Sequence, residues 1–550
     1  RDLLIENEEE ALFSKTLATI RRDAPINFEL PKVWREALDI NILNTLFQEL
    51  EFRTLPDRVK RLLNNEKGIK NKEIGNKAEI KKESLAEDEE LKLALWVVDS
   101  NLTNPSMDDV ATFTKAETLE DAWKVVNAEL DKRNSREVFE EIEKPLIPVV
   151  QEMNRVGVKI DKQMLSMLSK DYHKELNSLE KQIWKHAGEE FNVNSPKQLG
   201  EILFVKMGLA GSRQKKNASG GFSTKESELV KLSDKHPVIE LILSYRELQK
   251  LLSTYIDAIP EGLDANSRLH STFILSGAAT GRMASQNPGL QNIPIRTELG
   301  RAIRKAFIAE EGKSLLSLDY SQIELRIAAI LSEDKKLIEI FKNGEDVHTG
   351  VAMRVFGVEA DKVDKAMRTK AKTINFGVLF GMGVSALKTN LKTDRKEAQE
   401  FYNHYFETFK GLAEYLDKTK ASAERLGYTE TMYGRRRYFA GLRSPLPFIK
   451  ASAERMAINA PIQGTEADIV KISMKQIDDM LKAEKLVGKV ELVLQVHDEI
   501  VYEVDDALVE SVAPKLKAIM EGVMKGKETH GVPIVAEMSA GKNWDELKKL

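Results

Sequence analysis

Residues 314–328 read Ser314-Leu315-Leu316-Ser317-Leu318-Asp319-Tyr320-Ser321-Gln322-Ile323-Glu324-Leu325-Arg326-Ile327-Ala328. Leu315 to Leu318 suit a buried strand. Ser321 then offers an N-cap, and Glu324 three residues on completes a capping box, in which each side chain would satisfy a free backbone N–H at the helix start. Ile323, Ile327 and Ile330 supply one apolar helix face. Asp319 is thereby placed at the carboxyl end of a strand, where open sheets receive ligands. Taken alone, an Asp before a helix is most often a cap or turn residue. Its meaning depends on what the chain brings beside it.

Two other segments bear on that question. In residues 491–504, two apolar runs flank His497-Asp498-Glu499, which predicts a β-hairpin with a polar tip. In residues 368–381, Arg368, Lys372, Phe376 and Phe380 are spaced four apart and share a helix face. Two cations followed by two rings suit a nucleoside triphosphate lying along the helix. The plain alternative is a solvated basic end and a buried aromatic end. Gly377 and Gly381 are placed to soften the end of this helix. Asp319 and Asp498 on neighbouring strand ends could hold two hard, oxygen-seeking cations, which would relieve the cost of unpaired buried carboxylates. Phosphoryl transfer rests on such positioning and charge neutralisation.

The remainder of the 550 residues sets bounds. The length predicts two to four domains. A content of 42% hydrophobic and 31% charged residues reads as globular, and no apolar run is long enough for a membrane helix. Cysteine is absent, which excludes disulfides, thiol nucleophiles and Cys-based zinc sites. The net charge of -4 does not advertise a nucleic-acid binder, although a basic groove can be offset by acidic faces elsewhere. Residues 61–90 read as a polar linker. Residues 136–275 read as mostly helical, with Pro145 near the start of one helix, a long helix after Asp161 and Ser195 as an N-cap. Between Gly208 and Gly221, Arg213, Lys215 and Lys216 lie in a loop without apolar periodicity. This loop is either simply solvated or a clamp on a phosphate backbone.

Asp-Tyr-Ser-Gln-Ile-Glu-Leu-Arg from Asp319, the Arg368-x3-Lys372-x3-Phe376-Gly377 spacing and Gln495-Val-His-Asp-Glu together resemble motifs A, B and C of family A DNA polymerases, of the bacterial DNA polymerase I type. Thr280-Gly281-Arg282, the run Asn287 to Pro294, and Arg455, Asn459 and Gln463 extend the resemblance over about residues 140–550. It implies an α+β multidomain right hand with an antiparallel-sheet palm, helical fingers and a helical thumb. The expected division is a connector at 1–60 like that following a 5′-nuclease domain, and a linker with a vestigial exonuclease-like remnant at 61–135. A thumb follows at 136–280, the first part of the palm at 281–345, fingers at 346–440 and the second part of the palm at 441–550.

The resemblance also implies roles. Asp319, Asp498 and the Tyr320 main-chain carbonyl would hold two Mg²⁺ ions, with Mn²⁺ as a substitute. Arg368, Lys372 and His348 would grip the triphosphate, and Lys372 could donate a proton to pyrophosphate. Glu324 would block a ribose 2′-hydroxyl, Phe376 would pack on the sugar, and Gln322 and Phe380 would complete the dNTP site. Arg282, Gln291, Arg455, Asn459, Gln463 and His497 would meet the primer–template, with Arg213, Lys215 and Lys216 on its backbone. The implied partners are primer–template DNA and dNTPs, without a membrane, for a monomer in a bacterial cytoplasm at the nucleoid.

Two departures stand out. Phe380 replaces the usual Tyr, losing a hydroxyl. The segment before residue 140 lacks a strand-borne Asp-x-Glu and is too short for an exonuclease domain, so neither proofreading nor 5′-nuclease activity is expected of this chain. A single-subunit RNA polymerase is the nearest rival, opposed by Glu324. A non-catalytic DNA-binding relative is opposed by the presence of Asp319, Lys372 and Asp498 together.

Overall fold

The computed structural model describes residues 85–210, 221–295, 297–379 and 381–550. These lie in one compact unit, Lys82–Leu550. The expected connector at 1–60, the linker up to residue 84, Arg213, Lys215, Lys216 and Phe380 fall outside the described residues. Among the described residues no helix is long and apolar enough to cross a membrane.

The segment read as an exonuclease remnant forms three helices, Glu89–Val98, Met107–Thr114 and Leu119–Lys132. Asp88, Ser106 and Thr118 cap them by accepting backbone N–H groups, which satisfies donors that the helix geometry leaves free. Further on, α1 (Lys162–Ala187) starts where the Asp161 carboxylate accepts the Gln163 and Met164 amides at 2.9 and 3.0 Å. It stops at Gly188, whose φ of 78° suits glycine. α2 (Val238–Leu251) packs against α1. Ser195 caps Pro196–Gly200 as its sequence predicts.

The sheet that positions the chemistry has β1 (Lys313–Tyr320), β2 (Val490–Val496), β3 (Glu499–Asp505), β4 (Ala536–Gly541) and β5 (Lys548–Lys549). Its order is β5-β4-β1-β3-β2, antiparallel throughout. β1 is central, and Leu315, Leu316 and Leu318 are all fully buried, so both of its faces are covered. This is why residues 315–318 read as a continuous apolar run rather than an alternating one. The later helices include α3 (Ile323–Ser332), α4 (Val347–Phe356), α5 (Lys365–Leu379), α6 (Lys410–Leu426), α7 (Pro447–Ala483) and α8 (Val509–Gly522). The buried Tyr320 ring pins β1 to two of them. Its hydroxyl lies 2.6 Å from Ser473 Oγ in α7 and donates to the Met520 carbonyl of α8 at 2.9 Å.

A buried charge cluster ties the early helices to α7. Lys471 Nζ donates to both Glu143 oxygens at 2.7 and 2.9 Å and to the Leu275 carbonyl at 3.2 Å. Arg435 donates to Glu143 and, through Nε at 2.8 Å, to Asp468, which also accepts the Thr431 hydroxyl at 2.7 Å. The Trp96 ring receives both cations, with Lys471 Nζ 4.9 Å and Arg435 Cζ 5.2 Å from its centre. Burial pushes the Lys471 ammonium down to about 8 despite the Glu143 contact. Two acids thus balance two bases in a region without solvent.

Candidate active site

The strand register brings three carboxylates into one row. Asp319 on β1 faces Glu499 on β3 and Glu537 on β4. Residues directly opposite across antiparallel strands share a face, and like charges there repel. Glu537 is relieved by Lys549 Nζ at 2.6 Å. Glu499 accepts the Ser317 hydroxyl at 2.7 Å and the Trp544 indole N–H at 3.0 Å. Asp319 accepts no hydrogen bond from the described residues. Asp498 joins it from the β2–β3 turn, where His497 takes a φ of 56° and the Tyr320 amide donates to the Asp498 carbonyl at 3.3 Å. Asp319 is exposed to solvent on one side, yet the protein around it, then the Asp498, Glu499 and Glu537 charges, push its carboxyl up to about 8, against the pull of Arg304. Burial pushes Asp498 up to about 6, opposed by its own amide and Arg282.

Crowded, underpartnered carboxylates are the chemistry a divalent cation satisfies. Among the described residues, no three or more His, Asp or Glu side chains converge as a ready cage for a metal ion. Mg²⁺ differs from most protein-bound metals in this respect, since it commonly takes one or two carboxylates and completes its shell with water and substrate phosphates. Asp319 and Asp498 therefore fit Mg²⁺ better than they fit a closed structural site.

α5 carries the two predicted cations, Arg368 and Lys372. Arg368 donates to Asp346 from Nε at 3.0 Å and Nη2 at 2.9 Å, and Asp346 also caps α4 by accepting the Thr349 amide at 2.8 Å. Lys372 is exposed and has no ion pair among the described residues. His348 on α4 is buried, its Nδ1 3.2 Å from Asn375 Nδ2 and its ring 5.6 Å from that of Phe376. The predicted helix face is therefore split: its basic end meets solvent, while Phe376 is half-buried against α4. Gly377 packs closely on Met382, since an added Cβ would lie 2.3 Å from Met382 Cε. Gly381 has a φ of 66° and lies against the Arg455 side chain.

Burial pushes the His348 imidazole down from 6.5 to about 4, with Arg368 and Lys372 adding repulsion and Asp346 opposing them. Between those values the unfolded chain binds the extra proton, so this residue makes stability rise with pH across the window from about 4 to 6.5, complete above it. His348→Gln is expected to flatten the melting temperature across that window. An unchanged slope would show that the ring accepts protons freely in the folded protein.

The expected capping box is not formed. Gln322 is the N-cap of α3, with a φ of 54° and no side-chain hydrogen bond. Glu324 instead accepts Arg282 Nη2 at 2.6 Å. The tertiary ion pair outweighs the local cap because Glu324 is mostly buried and a guanidinium is within reach. Arg282 is held a second time, its Nε donating to Glu466 at 2.8 Å. Gln291 Nε2 donates to the Gln495 carbonyl at 3.2 Å and to its side-chain oxygen at 3.1 Å. Arg455 and His497 are exposed, and Asn459 and Gln463 are half-buried on α7, with Asn459 Oδ1 unpartnered.

Three site residues escaped the sequence reading. Arg304 lies over the Trp544 ring at 3.8 Å and faces Glu499 at 3.9 Å. Asp346 holds Arg368, and Glu466 holds Arg282. Glu466 alone left a trace in sequence, as an acid inside an apolar helical run. The partners of Arg304 and Asp346 are set by contacts distant in the chain.

The model of DNA polymerase family A matches residues 162–546, and the chain belongs to that family. DNA polymerase I of Caldicellulosiruptor bescii is 40% identical over 476 residues, covering 84% of this chain and 55% of that protein. The thermostable DNA polymerase I of Thermus filiformis is 43% identical over 415 residues, 75% of this chain and 48% of that one. DNA polymerase I of Pseudomonas aeruginosa is 43% identical over 411 residues, 74% and 44% respectively. The chain thus spans about half the length of these relatives. A solved structure of the POL domain of Pol1 from M. smegmatis, in complex with DNA primer-template and dNTP, is 33% identical with a TM-score of 0.77, over 83% of this chain and 81% of that one.

Proposed function

We propose that this chain is a template-directed DNA polymerase that adds dNTPs to a primer 3′-hydroxyl and releases pyrophosphate. The observation that carries this reading is the carboxylate row on β1, β3 and β4, with Asp319 unpartnered beside Asp498, in a chain that also presents Arg368 and Lys372 on one helix. Asp319, Asp498 and the Tyr320 carbonyl would hold two Mg²⁺ ions, with Mn²⁺ as a substitute. Such ions, when bound, neutralise phosphate charge and lower the pKa of a coordinated hydroxyl. The primer 3′-hydroxyl gives up its proton to water, and its oxygen bonds to the α-phosphorus as the bond to the bridging oxygen of pyrophosphate breaks. Lys372, without an ion pair among the described residues, supplies a proton to that leaving oxygen. Arg368 exchanges Asp346 for a phosphate, a like-for-like replacement of one charge-assisted pair by another. His348 supports the phosphates as a neutral ring, Phe376 packs on the sugar, and Gln322 and Phe380 border the incoming base. Glu324 excludes a 2′-hydroxyl.

Arg282, Gln291, Arg455, Asn459, Gln463 and His497 would read the primer–template end through phosphates and minor-groove acceptors common to all base pairs. Arg213, Lys215 and Lys216 would bind the duplex backbone. We further infer that this chain builds without proofreading, a reading that rests on the lack of a strand-borne Asp-x-Glu before residue 140. Working as a monomer in a bacterial cytoplasm completes the proposal. Extension of a primed template with dNTPs or rNTPs tests it: preferential use of dNTPs supports the reading, and preference for rNTPs or no extension sinks it. A labelled, mismatched 3′ end should stay uncut in Mg²⁺ without dNTPs.

A further inference from the structure

Arg282 bridges two acids that belong to different parts of the site. Nε donates to Glu466 Oε2 at 2.8 Å, and Nη2 donates to Glu324 Oε1 at 2.6 Å. The Glu466 side chain is fully buried inside α7, while those of Glu324 and Arg282 are 13% and 23% exposed. Glu466 Oε1 is buried without any partner. An acid in this position is costly, since half of its acceptor capacity is desolvated and empty, whereas an apolar residue would fit the helix interior without that cost. Among the described residues its hydrogen bond goes to Arg282.

The main chain beside Arg282 passes close to a second guanidinium. Gly281 has a φ of 98°, and a Cβ there would lie 2.9 Å from Arg435 Nε. Arg435 is itself held by Asp468 and Glu143. A guanidinium carries donors on separate edges of a rigid plane. With Nε anchored on Glu466, the terminal nitrogens can leave Glu324 for another acceptor without breaking the anchor. When they leave, Glu324 loses its hydrogen bond and becomes a free carboxylate.

Resting on the polymerase reading above, we propose that Glu466 is a positioning residue, the pivot on which Arg282 swings from Glu324 to the primer end. A correctly paired primer end thereby frees the carboxylate that faces the incoming sugar. Primer-end checking and sugar selection are then coupled through one arginine.

The experiment measures single-turnover extension from matched and mismatched 3′ ends, with dNTP and rNTP. It compares the whole chain with Glu466→Ala, Glu466→Gln, Arg282→Ala and the Glu466→Ala/Arg282→Ala double variant. Glu466→Ala is expected to narrow both the matched-to-mismatched and the dNTP-to-rNTP ratios about tenfold, and to add nothing once Arg282 is gone. Glu466→Gln keeps an oxygen for Nε and should restore most of both ratios. Unchanged ratios in Glu466→Ala, or the same effect with and without Arg282, would overturn the pivot and leave Glu466 a structural acid. Melting curves of each variant separate a folding defect from a positional one, because misfolding lowers the active fraction without moving the ratios. Failure of the unaltered chain to extend any primer would instead overturn the polymerase reading.

Discussion

Asp319→Asn is expected to lower primer extension by on the order of 10³-fold while raising the melting temperature of the metal-free protein. Both effects come from one cause. Asp319 sits opposite Glu499 and Glu537 with Asp498 beside it, and among the described residues nothing donates to its carboxylate. Without a cation this charge is a liability to the fold. The sign follows from linkage. The folded carboxyl is raised from 3.8 to about 8, so between those values the folded chain holds the proton that the unfolded chain releases. The destabilising contribution is absent below the lower value, grows as pH rises and is complete above the upper one. In chelator, the melting temperature of the unaltered chain should therefore fall with rising pH more steeply than that of the Asn variant. Added Mg²⁺ should stabilise the unaltered chain more than the variant. Undiminished extension by Asp319→Asn would remove the catalytic assignment, and a lower melting temperature in chelator would remove the repulsion argument.

Glu143→Ala is expected to produce the largest stability loss, about 3–5 kcal/mol, the usual cost of leaving a buried charge without its partner. Glu143 receives two contacts from Lys471 and one from Arg435, and no solvent reaches the group. Removing it leaves Asp468 alone to balance both cations, against which Lys471 can respond only by losing its proton. Denaturant unfolding of the variant measures the loss. A midpoint unchanged from that of the parent would show that water or a shifted side chain replaces Glu143 without penalty. The early helices should loosen first in such a variant, since Trp96 packs on the same two cations. Amide exchange in Glu89–Val98 would report this.

Much of this site could be read from the chain because its residues are held by local geometry. The apolar run before Asp319, the hairpin around His497-Asp498 and the four-residue spacing on α5 each follow from a backbone period, and periods survive in sequence. The capping box at Ser321 and Glu324 was a sound local expectation that failed for a tertiary reason: Arg282, 42 positions away, competes for the same carboxylate and wins by burial. Arg304 and Asp346 were silent for the same reason, and Glu466 showed only as an acid in an apolar helical run, since each acts through a partner supplied by another element.

The sequence by itself determined which strand ends carry acids, which helix carries cations and that the chain has the motifs of a family A polymerase. Only the tertiary structure decided that Asp319 would stand in a row with Glu499 and Glu537 while its neighbours were relieved and it was not. It also decided that Glu324 and Glu466 would share one arginine. Strand register and long-range ion pairs bring residues together across hundreds of positions, and no periodicity along the chain records which charges will meet or which one will be left unpaired.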